Sequence, residues 1–286
     1  MKYTSSERGT RPIVIASISA CGGDRLDALL QTISGPIPVD AICGDYLAEL
    51  NLAWLSSQLA DDSSKGYEQS FLPAFKLAAD KFIEIRKQGR DMKIAVNAGG
   101  LRPQALAKQI RELLDTYGEE GKKVKVAWIT GDNVLDQIKD PKSKARASIK
   151  HLSYGTTIEE WGYEPITANA YIGCAGIVEA LERGADIIIA GRCTDASAAQ
   201  AFGRWWHGWK EDDFDNLALG LVTGHVIECG TYAVCFLRTN KANSRLAGSF
   251  RGLREFPNTT IWLSLSLRFT RTATQLSLNN PIIMVS

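Results

Sequence analysis

Five short runs constrain this chain more than any other feature: Ile13–Ile18, Val39–Cys43, Lys93–Val96, Val124–Ile129 and Asp186–Ala190. They are rich in Val, Ile and Ala and almost free of alternation. Such a strand must be covered on both faces, and that requirement is met by a parallel sheet with helices on either side. Each run ends in a turn carrying glycine and a polar residue, and helical periodicity follows. The spacing predicts helices over 25–32, 46–60, 68–88, 103–114, 172–182 and 216–229. In the second, Leu47, Leu50, Trp54, Leu55 and Leu59 form the apolar face; in the third, Phe71, Phe75, Leu77, Ala78, Phe82 and Ile85 do. Pro103 suits a first helical turn because it needs no donor there, and Gly184 suits a C-terminal cap. The Lys-rich stretch 136–150 reads as a helix or as a loop over the site. The fold class expected for residues 1–235 is α/β, a parallel-sheet, Rossmann-like layered domain that is incomplete at its C-terminus.

Net charge is +1 over 286 residues, so no overall field points to nucleic acid or to an anionic membrane. The balance hides an asymmetry. Residues 236–286 hold seven Lys/Arg against the single acid Glu255, leaving 26 basic and 31 acidic residues in 1–235. Six cysteines occur without a C-x-x-C pair or a Cys/His cluster at zinc spacing. The first residues lack the apolar core of a signal peptide, and no run reaches the roughly 18 apolar residues of a membrane span. The expectation is a cytoplasmic protein with a small-molecule substrate, no nucleic-acid or membrane partner, and a homo-oligomeric state left open. Trp205, Trp206 and Trp209 are expected to cover a hydrophobic edge or a subunit contact.

Ligands of open parallel sheets bind beyond the carboxyl ends of the strands. The residues there are Asp24, Arg25, Asp45, Asn97, Asp132, Asn133, Arg192 and Asp195, each beside a glycine such as Gly22, Gly23, Gly99 or Gly100. Asp24, Asp45, Asp132 and Asp195 precede helices, where an aspartate can simply cap free N–H groups. Four such acids at equivalent ends make a functional carboxylate among them the expectation. Arg192 has two readings, an ion pair with Asp195 or a clamp for a carboxylate or phosphate. His225 and Glu228 are three apart on one helix face. They could be an acid/base pair, metal ligands joined by a carboxylate from another strand, or a merely hydrogen-bonded histidine. Cys21, Cys43 and Cys193 at strand ends read as small buried residues rather than nucleophiles. No G-x-G-x-x-G, Walker A or G-x-S-x-G motif is present.

Taken together these turns resemble the acyclic terpene utilisation (AtuA-like) family. The matching segments are Gly23-Asp24-Arg25-Leu26, Gly44-Asp45-Tyr46-Leu47-Ala48-Glu49-Leu50, Asn97-Ala98-Gly99-Gly100-Leu101 with Pro103, and Gly131-Asp132. Further on come Ala168-Asn169-Ala170-Tyr171-Ile172-Gly173, Gly184-Ala185-Asp186, Gly191-Arg192-Cys193-Thr194-Asp195 and Gly224-His225-Val226-Ile227-Glu228-Cys229-Gly230. The resemblance implies catabolism of acyclic terpenoids, or of branched carboxylates and their CoA thioesters, and it supplies no mechanism. On this reading Asp45, Asp132, Asp195, His225 and Glu228 are candidates for catalysis. Gly22, Gly23, Asp24, Arg25, Asn97, Gly99, Gly100, Asn169 and Arg192 are candidates for ligand binding. No cofactor is assigned; a CoA-linked substrate and a divalent metal both stay open. The rival reading is a non-catalytic ligand-binding or scaffold subunit.

The resemblance stops near Tyr232. Beyond it the chain turns Ser/Thr/Arg-rich, without helix or strand periodicity. Val234-Cys235 can be encoded by GTATGT, a typical start of a fungal intron. Residues 236–286 are therefore expected to be a divergent basic tail, mis-spliced or disordered, with a genuine divergent tail as the alternative; if the tail is a splicing artefact, the product would be truncated and inactive.

Overall fold

The computed structural model describes residues 8–143, 146, 148–228 and the backbone of a strand at 266–269. Its centre is a sheet of five parallel strands: β1 (Ile13–Ser17), β2 (Ala41–Gly44), β3 (Lys93–Val96), β4 (Val126–Ile129) and β5 (Ile187–Ala190). Their spatial order is β4-β5-β3-β2-β1. Nine helices are described: α1 (Ala28–Ser34), α2 (Glu49–Asp61), α3 (Phe71–Lys87), α4 (Pro103–Asp115), α5 (Gly118–Lys122), α6 (Leu135–Lys139), α7 (Ala175–Glu182), α8 (Ser197–His207) and α9 (Phe214–Glu228).

The unbroken apolar runs of β1, β2, β3 and β5 are explained by the period of two along each strand; β4, at the edge of the sheet, is only partly buried and exposes Trp128, so its run is not covered on both faces. Val14, Ala16, Ile42, Ile94, Val96, Ile187 and Ile189 enter one core with Leu29, Leu52, Leu55, Phe71, Phe75, Phe82, Leu106 and Ile110 from α1–α4. The alternate residues Ile13, Ile15, Ala41, Cys43, Ala95, Ile188 and Ala190 enter a second core with residues of α7, α8 and α9. Right-handed crossovers decide which helix goes where. From β1 through β4 the chain steps in one direction, skipping one place, and its helices lie on the first face. From β4 it steps back to insert β5 between β3 and β4, so α7 and the following helices lie on the second face.

The α3 face is as expected except for Leu77, which is exposed. In α2 the difference is larger. Leu52 and Leu55 are buried, while Leu50 and Trp54 are 80% and 65% exposed, because the helix begins at Glu49 and turns a narrower face inward. Gly184 (φ 82°) caps α7 as expected: its N–H donates to the carbonyl of Leu181, and that of Ala185 to the carbonyl of Ala180. The tryptophans are interior residues rather than an exposed edge. Trp206 donates from Nε1 to the carbonyl of Arg11 at 2.8 Å, and Trp209 lies against Gly203 and Gly220. Among its described residues the 136–150 stretch holds the short α6, helical positions at 146 and 148, and an isolated bridge from Lys150 to Thr157.

One element departs from the reading of the C-terminal stretch. Ser266–Phe269 forms a strand, β6, antiparallel to β1 at the edge of the sheet. A four-residue strand is too short to show a period in sequence, and backbone pairing needs none. The rest of 229–265 and 270–286, with the expectations placed on it, lies outside the described residues.

Candidate functional site

The strand order brings the carboxyl-end turns together. The connection leaving β3 goes to one face and that leaving β5 to the other, so the crevice between these neighbours is a topological switch point. Asn97 follows β3 and Arg192 follows β5; Asp45 follows β2 on one side, and Asp132 follows β4 on the other.

Arg192 is the centre of this group and is 4% exposed. Its Nη2 donates to Asp195 Oδ1 at 2.6 Å, its Nη1 lies 3.5 Å from Asp45 Oδ1, and Nη1 also donates to the carbonyl of Leu47. The guanidinium stacks 4.0 Å from the centroid of Tyr171, whose hydroxyl donates to Glu49. Nε has no hydrogen-bond partner among the described residues. Burial works against the charge, but Asp45, Tyr171 and Asp195 outweigh it and hold Arg192 above the ordinary guanidinium range. Of its two sequence readings, the ion pair with Asp195 is thus present.

Asp45 is pushed up from the ordinary carboxylate range by burial, against the opposing pull of Asn97 and Arg192. Asn97 is fixed twice. Its Oδ1 accepts from the Tyr46 N–H at 2.6 Å and its Nδ2 donates to Asp45 Oδ1 at 2.5 Å. Asp45 Oδ1 also accepts from the Leu47 N–H at 3.2 Å, a local turn bond. Asp132 is buried and accepts on Oδ2 from the Arg192 N–H and from Asn169 Nδ2, each at 2.8 Å. A Cβ on Gly191 would collide with the Asp132 carboxylate, so only glycine lets that group reach the strand end. Asp132 and Asn169 therefore hold the backbone that carries Arg192.

On the second face α9 closes over the same turns. Gly224 permits this, since a Cβ there would lie 2.5 Å from that of Ala196. His225 Nδ1 lies 3.0 Å from the carbonyl of Leu221, and ligand atoms of Asp195, His225 and Glu228 all lie within 4.8 Å of one another. A cavity of about 20 Å³, room for one water, is lined by Ser17, Asp45, Asn97, Cys193, Asp195 and Glu228, among others. Burial pushes the thiols of both Cys43 and Cys193 up to about 12, which leaves them protonated.

The β1 turn behaves differently. Asp24 Oδ2 accepts from the N–H groups of Ala20 and Cys21 and from Ser19 Oγ, at 2.7, 3.0 and 3.0 Å, so its own carboxylate fills that donor nest. Arg25 is exposed and paired with Asp27. Gly22 packs beside Glu68, while a Cβ on Gly23 (φ 81°) would meet nothing within 4 Å. Gly99 and Gly100 are tight packing positions, against Ala190 and Pro103 and against Leu55 and Gly66. None of the four aspartates caps a helix by its side chain: α1, α2, α6 and α8 have no such bond. Cys21, expected to be buried, is exposed. Tyr171 and Glu49 are site residues that strand-end reasoning misses, although both lie within the motif segments Ala168–Gly173 and Gly44–Leu50.

No helix among the described residues is long and apolar enough to cross a membrane. Comparison with curated proteins finds no match, and comparison with solved structures finds none. The family model of the acyclic terpene utilisation family protein AtuA matches residues 13–238, which takes in every strand of the parallel sheet and every residue of the Arg192 cluster. The chain belongs to the acyclic terpene utilisation (AtuA) family.

Proposed function

We propose that this chain is an enzyme of acyclic terpene utilisation, acting on an acyclic terpenoid or branched carboxylate or on its CoA thioester. Membership of the family supports the role in acyclic terpene utilisation. The observation that carries the enzymatic reading is the convergence of Asp45, Asn97, Arg192 and Asp195 at the switch point, with Asp45 raised by burial. A carboxyl whose affinity for protons has been raised toward neutrality suits general acid/base work. Asn97 orients Asp45, and Arg192 supplies the positive charge against which an anionic substrate or a developing negative charge is held. Asp132 and Asn169 act through the Arg192 backbone as positioning residues. A small-molecule catabolic role goes with a cytoplasmic location on this reading.

The test is turnover of terpenoid acids and their CoA thioesters by the full chain, followed by mass spectrometry. Asp45→Asn is expected to lower kcat about 100-fold or more while the fold is retained. Saturable binding without turnover would replace the enzyme with a ligand-binding or scaffold subunit. Turnover undiminished in Asp45→Asn would remove Asp45 from the chemistry.

A further inference from the structure

The second face of the switch point carries a different donor set. Asp195 comes from the turn after β5, while His225 and Glu228 come from the last turn of α9. These segments are far apart in sequence, and their ligand atoms lie within 4.8 Å of one another. We propose that Asp195, His225 and Glu228 bind one divalent first-row transition-metal ion.

Three further observations support it. His225 is exposed, and its Nδ1 lies against the Leu221 carbonyl at 3.0 Å. A bond donated from Nδ1 fixes the tautomer that presents a lone pair on Nε2, the arrangement metal-binding histidines use. Second, the contact of Gly224 with Ala196 brings α9 down onto the β5 turn. Without it the two halves of the donor set would stand apart. Third, the cavity of about 20 Å³ between Asp195, Glu228, Asp45 and Asn97 has room for one water, which could complete a coordination sphere on the substrate side.

The charge balance agrees. Arg192 is shared between Asp45 and Asp195, so carboxylates exceed the guanidinium in this crevice even before Glu228 is counted. One imidazole and two carboxylates favour borderline ions such as Mn²⁺, Fe²⁺, Co²⁺ or Zn²⁺ over the all-oxygen preference of Mg²⁺ and Ca²⁺. Bond lengths near 2.0–2.2 Å require the side chains to close in by rotamer adjustment, which an exposed His225 can make.

Metal binding stands apart from the catalytic reading, because it is measured without substrate. The full chain is titrated with Mn²⁺ by electron paramagnetic resonance and with Zn²⁺ by calorimetry. One ion per chain is expected. His225→Gln and Glu228→Gln should each weaken binding by tenfold or more, His151→Gln should leave it unchanged, and Mg²⁺ should bind more weakly than Mn²⁺. Binding that survives both site variants, no saturable binding up to millimolar metal, or Mg²⁺ binding as tightly as Mn²⁺ would overturn it. His225 is on the surface, so its variant keeps the fold and the test stays decisive.

Discussion

A single carboxyl illustrates how this crevice is tuned. The Asp45 environment disfavours the charged form, so its folded-state affinity for protons exceeds the 3.8 of an ordinary aspartate. Between that value and the folded pKa the native state binds more protons than the unfolded chain, and stability falls as pH rises through the window. The penalty is complete once the pH lies above the folded pKa. Asp45→Asn keeps an acceptor for Asn97 and removes the penalty. The variant is therefore expected to melt no lower than the parent where Asp45 is charged, and the difference should shrink as pH falls through the folded pKa and vanish below the ordinary 3.8. Thermal melts across pH check this, and a clear loss of stability at pH 7 would show that pairing with Arg192 dominates. The thiol beside it obeys the same rule. Cys43, pushed up to about 12 by burial, is expected to resist iodoacetamide at pH 8 while exposed Cys21 reacts, as peptide mass spectrometry after brief labelling would show. Alkylation of Cys43 at the rate of Cys21 in the folded protein would contradict its burial.

At the scale of elements, much was legible because burial on two faces leaves a strong imprint. The runs 93–96 and 186–190, the cap at Gly184 and the proline start of α4 all follow from local chemistry. So did the set Asp45, Asn97, Asp132 and Arg192, since strand ends are predictable once strands are. What was not legible depends on neighbours in space. The aspartates that read as caps are engaged elsewhere, and Leu50 and Trp54 read as core because periodicity does not say how wide the buried face of α2 is. Asp195 joins His225 and Glu228 only because β5 inserts beside β3 and α9 returns over it. That return rests on one small residue. Gly224→Ala puts a methyl 2.8 Å from the Ala196 Cα, in backbone that cannot yield as a side-chain tip would. The expected cost is about 1–3 kcal/mol, together with weakened Mn²⁺ binding as α9 lifts. Gly173→Ala, where a Cβ meets nothing within 4 Å, is the matched control. Equal behaviour of the two variants would mean that the α8–α9 contact does not set the site.

Across the whole molecule the two ends of the sheet put the same residue types to opposite uses. At the amino ends, Asp186 before β5 accepts from Lys93 Nζ at 2.8 Å, Arg86 Nη1 at 3.0 Å and the Lys125 N–H at 2.8 Å. Asp40 before β2 accepts from Arg11 at 2.6 and 2.7 Å and from the Val14 N–H at 2.8 Å. Every oxygen of these two carboxylates is occupied, and each bridge ties neighbouring strands to one another. At the carboxyl ends Asp45 is raised and the Arg192 Nε is unpaired among the described residues, so these polar groups are held in place without being fully satisfied there. The division predicts that stability and ligand or metal binding can be separated by mutation. Asp186→Ala leaves the buried Lys93 with the half-exposed Asp91 at 2.8 Å and the face of Trp205 at 5.9 Å as its described partners. The expected loss is about 3 kcal/mol, the lower end for removing one partner of a buried pair, or roughly 10 °C in Tm for a domain of this size. The four-residue strand β5 spans about 13 Å between Asp186 and the Arg192 turn. In the cold, where the variant remains folded, Mn²⁺ affinity and any substrate affinity should match the parent. Lys93→Met should cost less, because Arg86 and the Lys125 N–H remain on Asp186. A folded Asp186→Ala protein that had lost binding would mean that strain passes along β5, and the amino and carboxyl ends of the sheet would then have to be treated as one coupled unit.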